Sequence, residues 1–382
     1  TMVIEPKVRD FICTTAHPDG CKENVKRQID YISKNGKLNG PKKVLVIGAS
    51  TGYGLASRIA AAYTFDAATI GVMFEKPPAA RRTATPGWYN TSAFEEFAEK
   101  DGYYAKSING DAFSGEIKAQ TIDLIKKDLG KVDMVIYSLA APRRVTAEGT
   151  TYSSVLKTTG EEFTNKSLNF RDHTVNEATI TPASQEEIEA TIKVMGGEDW
   201  KDWIQALSDA GVLEKGAVTL AYSYIGPELT YPVYYNGTIG MAKKHLYQTS
   251  LEINKTFESQ AVKAYVSVNK ALVTQASSAL PIVPLYIAIL YKVMKEKGIH
   301  EGCIEQINRL FHEKLKGDHV VTDHENRIRL DDYEMREDVQ SEVMQYWEQI
   351  KTDNLAELSD LAGYWEDFYH MFGFHFDNVD YS

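Results

Sequence analysis

Val44-Leu45-Val46-Ile47-Gly48-Ala49-Ser50-Thr51-Gly52-Tyr53-Gly54-Leu55-Ala56-Ser57-Arg58-Ile59-Ala60-Ala61-Ala62 is the stretch whose reading decides the fold. Its first four residues are apolar with no polar alternation, the pattern of a strand covered on both faces, and its last eight form a helix-prone run. Between them lies a glycine turn. Glycine lets the backbone turn sharply and lets a pyrophosphate approach the amides, while the helix N-terminus offers unpaired N–H groups and a positive dipole end. Three glycines at fixed spacing would occur by chance about 0.1 times in a chain of this composition, so the strand-turn-helix context carries the reading.

The same alternation continues outward. Thr69-Ile70-Gly71-Val72-Met73-Phe74, Tyr103-Tyr104-Ala105-Lys106-Ser107-Ile108 and Met134-Val135-Ile136-Tyr137-Ser138-Leu139 are separated by longer amphipathic stretches. Ala217-Val218-Thr219-Leu220-Ala221-Tyr222 and Ala264-Tyr265-Val266-Ser267-Val268 extend the set. A βαβα rhythm with continuously apolar strands predicts an α/β fold, a doubly wound and mostly parallel Rossmann-type sheet covered by helices. Residues 1–382 read as one enlarged domain of this type. Within it, residues 142–187 are polar, Thr-rich and carry short alternating pieces such as Ala178-Thr179-Ile180-Thr181, which predicts an inserted hairpin or lid. Residues 292–382 predict a helical C-terminal extension. Its acidic group Asp331, Asp332, Glu334, Glu337 and Asp338 reads as a solvated helix face rather than a metal cluster.

Composition narrows the partners. A formal net charge of -11 repels nucleic acid and anionic membrane, which favours a small-molecule partner. Cys13, Cys21 and Cys303 form no CxxC pair and leave an odd number, so neither a disulfide framework nor zinc spacing is visible; His17 lies between two of them without further ligands nearby. No metal is expected, and a cytoplasmic, reducing compartment is, with organelle import behind a removed address left open. Residues 279–294, the most apolar stretch, contain two prolines and two tyrosines and predict a buried helix, not a membrane span. The N-terminus lacks a secretory signal's apolar region, and Thr1 before Met2 reads as an added residue.

Glu75 stands 21 positions beyond Gly54, at the expected end of the second strand, where a carboxylate can accept hydrogen bonds from ribose hydroxyls and would repel a 2′-phosphate. NADH is therefore the expected cofactor, although Arg81 and Arg82 follow closely in what reads as a loop. A nicotinamide reductase also needs a proton source and a stabiliser of oxyanion charge. Tyr234 and Lys243 could supply them, but Tyr235 and Lys244 repeat the spacing, and about two such pairs are expected by chance. On one continuous helix, nine positions would place tyrosine and lysine on opposite faces, so the tyrosine must precede the helix. Asn236-Gly237-Thr238 supplies that break.

The chain resembles the trans-2-enoyl-CoA and enoyl-acyl-carrier-protein reductases of the FabV type over nearly its whole length. The resemblance is carried by Arg9-Asp10-Phe11-Ile12-Cys13 with Ala16-His17-Pro18, Gly48 to Gly54, Gly87-Trp88-Tyr89-Asn90, Gly110-Asp111-Ala112-Phe113, Tyr137-Ser138-Leu139-Ala140-Ala141-Pro142, Val194-Met195-Gly196-Gly197-Glu198-Asp199-Trp200 and Tyr222-Ser223-Tyr224-Ile225-Gly226. It continues through Gly237-Thr238-Ile239-Gly240, Leu272-Val273-Thr274-Gln275-Ala276-Ser277-Ser278 and Val293-Met294-Lys295-Glu296-Lys297-Gly298. It implies a Tyr-x8-Lys active site whose register selects Tyr234 with Lys243. It further implies NADH contacts from Gly48, Ala49, Ser50, Thr51, Gly52, Tyr53, Phe74, Glu75, Asp111, Ala112, Leu139, Ala140, Lys243, Leu272, Val273 and Thr274, with Tyr224 facing the substrate. His17 and the cysteines receive no role. The expected reaction is hydride transfer to the β-carbon of an enoyl thioester, CoA-linked or ACP-linked, in fatty acid synthesis. Tyr234 would hydrogen-bond the thioester oxygen, and Lys243 would anchor the cofactor and lower the tyrosine pKa. The resemblance also implies a monomer. A short-chain-type 3-oxoacyl or carbonyl reductase, or a non-catalytic NADH-binding sensor, are the alternative readings.

Overall fold

The computed structural model describes residues 3–382, so Thr1 lies outside the described residues. A small hairpin, β1 (Val8–Arg9) with β2 (Ile12–Cys13), precedes α1 (Pro18–Lys34). The sheet is then laid down by β3 (Lys43–Ile47), β4 (Ala68–Met73), β5 (Ala105–Asn109) and β6 (Val132–Tyr137), linked by α2 (Gly52–Phe65), α3 (Pro86–Lys100) and α4 (Gly115–Asp128). The chain returns to it with β11 (Leu213–Ser223), β12 (Lys263–Val268) and β15 (Ile328–Arg329). The spatial order is β15-β12-β11-β6-β3-β4-β5, and every neighbouring pair is parallel. This is the doubly wound arrangement, with the direction of winding reversing between β3 and β6.

Each expected strand is present, and in the inner strands β-branched residues buried on both faces disfavour a helix; β3 is buried from Val44 onward, whereas the edge strand β5 has no buried residue. β15 is an addition. Two residues carry no periodicity, so its place at the sheet edge is set by tertiary pairing with Ser267 and Val268. Between β6 and α5 (Gln185–Met195) lie two antiparallel hairpins, β7 (Arg143–Val145) with β8 (Thr151–Ser153), and β9 (Phe163–Asn169) with β10 (Thr174–Ile180). Helices α6 (Glu198–Asp209) and α7 (Thr238–Thr256) cover one face of the sheet together with α4. Helices α1, α2 and α3 cover the other.

A third core surrounds α9 (Val283–Glu296), which follows the single turn α8 (Gln275–Ser278). Its residues from Val283 to Tyr291 are all buried, as a helix apolar on every face must be. Of the 279–294 stretch, residues 283–294 are thus largely buried helix, and 279–282 form the turn that precedes it. Around it pack β9 and the C-terminal helices α11 (Glu337–Gln349), α12 (Leu355–Leu358) and α13 (Leu361–His370). The region from 292 also holds α10 (Cys303–Arg309), the hairpin β13 (Leu315–Lys316) with β14 (His319–Val320), and β15, so it is not helical throughout. No helix among the described residues is long and apolar enough to cross a membrane.

The acidic group needs correction. Asp331 is 1% exposed and Glu334 0%, so these are not residues of a solvated face, and with Asp332 they precede α11 in a loop. Arg329 pairs with the buried Asp331, offsetting its desolvation, and Arg309 and Lys314 pair with the half-buried Asp332. His17 caps α1 by accepting from the Gly20 amide at 3.3 Å and packs against Tyr381. The three cysteines are free thiols.

Candidate active site

In a wholly parallel sheet the C-terminal ends of all strands share one edge, and nearly every residue singled out from the sequence lies along it. Three glycines build its centre in different ways. Gly48 has φ +83, and a Cβ there would lie 2.4 Å from the Ser138 carbonyl oxygen, so only glycine lets the turn after β3 touch the end of β6. Gly54 has no such φ, but its Cβ would fall 1.8 Å from the Gly48 oxygen, so it sets how closely α2 approaches the turn. Gly52 has φ +55 and nothing within 4 Å of its Cβ position. Its surface is open. The N-cap Thr51 makes no side-chain hydrogen bond to the first turn of α2, which leaves those amides available to an anion.

The flanking loops are tied to this turn. Glu75 lies two residues past β4, and both its carboxylate oxygens are engaged: Ser50 Oγ donates to Oε1 at 2.7 Å and Thr85 Oγ1 to Oε2 at 2.5 Å. Gly87, in the first turn of α3, leaves room for it, since a Cβ would fall 2.1 Å from Oε1. The carboxylate thus sits against a helix N-terminus, where negative charge is favoured. Asn109 at the end of β5 completes the link, its side chain accepting from the Glu75 amide at 2.8 Å. Phe74 beside it is 73% exposed, a flat apolar face toward solvent. Arg81 and Arg82 are exposed, and Arg82 bonds the Pro77 carbonyl within their own loop.

Asp111 accepts from the Phe113 amide, and the Ala112 carbonyl accepts from Trp203 Nε1 and Lys118 Nζ, both at 3.1 Å. Leu139 and Ala140 follow β6 directly and are half-buried and exposed. Tyr53 reaches from the glycine turn to the Lys270 carbonyl at 2.8 Å, fastening the loop that leads to Leu272, Val273 and Thr274. Thr274 caps α8 by accepting from the Ser277 amide, and the Val273 amide donates to Tyr291 Oη.

Tyr234 lies in the turn ahead of α7 and Lys243 within that helix, as the helix-face argument requires. The structure separates the two equally spaced pairs. Tyr234 is 8% exposed, whereas Tyr235 is 41% exposed and stacks under the Lys244 ammonium at 4.8 Å on the surface. Gly240 is what lets the turn fold back, since a Cβ would lie 2.0 Å from the Tyr234 carbonyl oxygen. Lys243 Nζ donates to the Tyr222 carbonyl at 3.3 Å, and burial pulls its pKa down to about 8. Among the described residues, neither Lys243 nor any other protein group hydrogen-bonds the Tyr234 hydroxyl. Burial pushes the Tyr234 phenol well above its ordinary range, and Glu334 and Tyr364 push the same way. The expectation that Lys243 lowers it is therefore corrected: desolvation and nearby negative charge dominate here. The Tyr224 ring stands edge-on to Tyr234 with centroids 4.6 Å apart, and its hydroxyl donates to Glu334 at 2.7 Å.

Thr85 escaped the sequence reading, and Glu334 entered it only as part of a solvated acidic face. Thr85 lies in a Thr- and Pro-containing loop with no signal, and Glu334 is one acid in a run of acids.

Three family profiles match the chain in succession: the NAD(P)H binding domain of trans-2-enoyl-CoA reductase over residues 3–80, the trans-2-enoyl-CoA reductase catalytic region over 82–316, and the enoyl reductase FAD binding domain over 322–382. The enoyl-[acyl-carrier-protein] reductase [NADH] of Flavobacterium johnsoniae is 61% identical, covering 100% of this chain and 97% of that protein. The trans-2-enoyl-CoA reductase [NADH] of Clostridium perfringens is 58% identical, covering 100% and 98%. Among solved structures, the trans-2-enoyl-CoA reductase of Clostridium acetobutulicum in complex with NADH superposes with a TM-score of 0.97 at 46% identity, covering 100% of this chain and 96% of the other. That of Treponema denticola in complex with NAD gives 0.96 at 51%, covering 100% and 97%.

The 322–382 segment does not fit a flavin. It has no strand-glycine turn-helix unit, and its two glycines are packed shut: a Cβ at Gly363 would meet Asp360 Oδ2 at 2.1 Å, and one at Gly373 the His17 carbonyl at 2.5 Å. Tyr364, Phe368, Phe372 and Phe374 fill its interior.

Proposed function

This chain belongs to the NADH-dependent trans-2-enoyl thioester reductases, and from that premise we propose that Tyr234 and Lys243 carry its chemistry. The family's reaction reduces the carbon–carbon double bond of an enoyl thioester, and bound NADH supplies the hydride. The residues present fit that cofactor. The open amides after Gly48 receive the pyrophosphate, Glu75 the ribose hydroxyls, and Phe74 with Asp111 and Ala112 the adenine end. Leu139, Ala140, Leu272, Val273 and Thr274 line the nicotinamide end, with Lys243 beside it.

When the β-carbon receives hydride, negative charge develops on the thioester oxygen. The Tyr234 hydroxyl, free of any protein partner among the described residues, donates a hydrogen bond to that oxygen and stabilises the enolate before the α-carbon is protonated. Lys243, charged below about pH 8, anchors the cofactor ribose and offsets the developing charge. The inserted hairpins of 142–187 act as the lid over the acyl chain. We further assign a monomer working in a cytoplasm-like reducing compartment, in keeping with its three unpaired thiols.

The observation that carries this reading is the burial of Tyr234, with Lys243 half-buried, against the exposure of the equally spaced Tyr235 and Lys244. The deciding assay is steady-state NADH oxidation with crotonyl-CoA, the matching enoyl-ACP and a 3-oxoacyl-CoA. Fast turnover of an enoyl substrate is expected. Faster turnover of the 3-oxo substrate would instead favour a carbonyl reductase, whose acid must sit at the carbon receiving hydride.

A further inference from the structure

Glu334 lies in the loop ahead of α11, fully buried, and three groups converge on its carboxylate. Tyr224 Oη and Tyr286 Oη each donate to Oε2 at 2.7 Å, and the Ala271 amide donates to Oε1 at 2.9 Å. Every one is a donor in this arrangement. A carboxylate satisfies all three, whereas a neutral acid or an amide would turn a hydrogen of its own toward one of them. Gln340 braces the cluster, its Nε2 donating to Tyr286 Oη at 3.0 Å and to the Glu334 carbonyl at 2.7 Å. The charged and titratable groups facing Glu334 are Lys270 from the loop after β12, Tyr286 from α9, Tyr224 just past β11, Tyr234 from the turn before α7 and Tyr53 from the first turn of α2.

A phenol has one hydrogen. That of Tyr224 is committed to Glu334, so Tyr224 has none to offer a thioester oxygen even though its ring borders Tyr234. We propose that Glu334 is a positioning residue of the reduction: by holding the hydroxyl hydrogens of Tyr224 and Tyr286 it makes Tyr224 an acceptor-only wall and leaves Tyr234 as the donating phenol. The inference rests on the reading of Tyr234 as the oxyanion donor. Burial raises the Glu334 carboxyl's pKa above its ordinary range, so its charge develops at higher pH than usual, and there a buried anion near Tyr234 opposes loss of the Tyr234 proton. The acid stays loaded at alkaline pH.

Wild type, Glu334→Gln, Tyr224→Phe, their double variant and Tyr234→Phe are compared by NADH titration, thermal unfolding and kcat with crotonyl-CoA from acid to alkaline pH. Glu334→Gln should bind NADH within about twofold of wild type and lose kcat by about tenfold or more, with KM little changed, as for an interaction felt in the transition state. Its kcat should also fall at lower pH than wild type's, since without the anion the Tyr234 phenol ionises sooner. The double variant should lose no more than the worse single, because both act through one hydroxyl. A wild-type kcat and pH profile in Glu334→Gln overturns the proposal, as do fully additive losses. Should Glu334→Gln fail to fold, Glu334→Asp, which keeps the charge but retracts it by one methylene, must lower kcat with NADH affinity intact; an unchanged kcat there overturns it equally. A fully active Tyr234→Phe rejects the site reading itself, whereas an inactive Tyr234→Phe beside a wild-type-like Glu334→Gln rejects only the role of Glu334.

Discussion

The two oxygens of Glu75 are held by Ser50 and Thr85 before any ribose arrives, so the carboxylate cannot swing away from a 2′-phosphate without breaking both bonds. NADH should accordingly be strongly preferred over NADPH in kcat/KM. Glu75→Ala should narrow that preference, and equal use of both cofactors by wild type would show that Glu75 does not face the ribose. At the other end of the site, Tyr234→Phe should cost about a hundredfold or more in kcat, the scale of a lost positioned donor, while Tyr235→Phe should be mild. The reverse ranking would move the chemistry to the surface pair. Lys243 is a half-buried, partly desolvated cation with no carboxylate partner among the described residues, so Lys243→Met should weaken NADH binding and raise the unfolding temperature. The sign with pH follows from its folded pKa of about 8 against an ordinary value of 10.5. Below about 8 the buried charge destabilises the fold in full; between the two values the unfolded chain binds more protons, so wild-type stability recovers as pH rises. The stabilising effect of Lys243→Met should therefore be largest below pH 8 and fade above it, which melting curves across that window measure. Among these residues, Glu75 was legible from its spacing after the glycine turn. Tyr234 was not separable from Tyr235 by spacing alone, because burial rather than periodicity distinguishes them.

For the elements, the turn between β3 and α2 separates ligand approach from packing. Gly52→Ala meets no atom but must hold a positive φ, costing about 1 kcal/mol in stability. It also adds a methyl at the turn's open surface, so NADH affinity should fall more than the melting temperature does. Gly54→Ala would press a methyl against the Gly48 carbonyl, forcing α2 off the turn; a stability loss of at least about 2 kcal/mol should accompany its loss of NADH binding. Parallel titration and melting of the two variants tests the distinction, and equal stability losses would refute it. The inner strands were readable because burial on both faces writes a continuous apolar run into each, whereas β5 (Ala105–Asn109), at the sheet edge, has no fully buried residue. The edge strand β15 and the loop bearing Glu334 were not, since one is too short for a period and the other is acidic like the solvated residues around it.

In the whole molecule, the three profile segments do not correspond to three separable bodies. β3 and β4 come from the first, β5, β6, β11 and β12 from the second, and β15 from the third, yet all lie in one sheet. α9 is likewise enclosed by β9 from one side of the sequence and by α11 and α13 from the other. We therefore expect a single cooperative calorimetric transition, and expect a chain ending at residue 321 to aggregate, because it would expose the apolar surface of α9. Two well-separated transitions would contradict this. The sequence by itself determined the doubly wound sheet and the glycine turn at its C-terminal edge, because strand burial and a strand-glycine turn-helix unit are local patterns that survive in one dimension. The tertiary structure alone decided which tyrosine is buried, which way its pKa moves, and that Glu334, 110 residues from Tyr224, closes on the Tyr224 hydroxyl: desolvation and long-range hydrogen bonds exist only once distant segments are packed together.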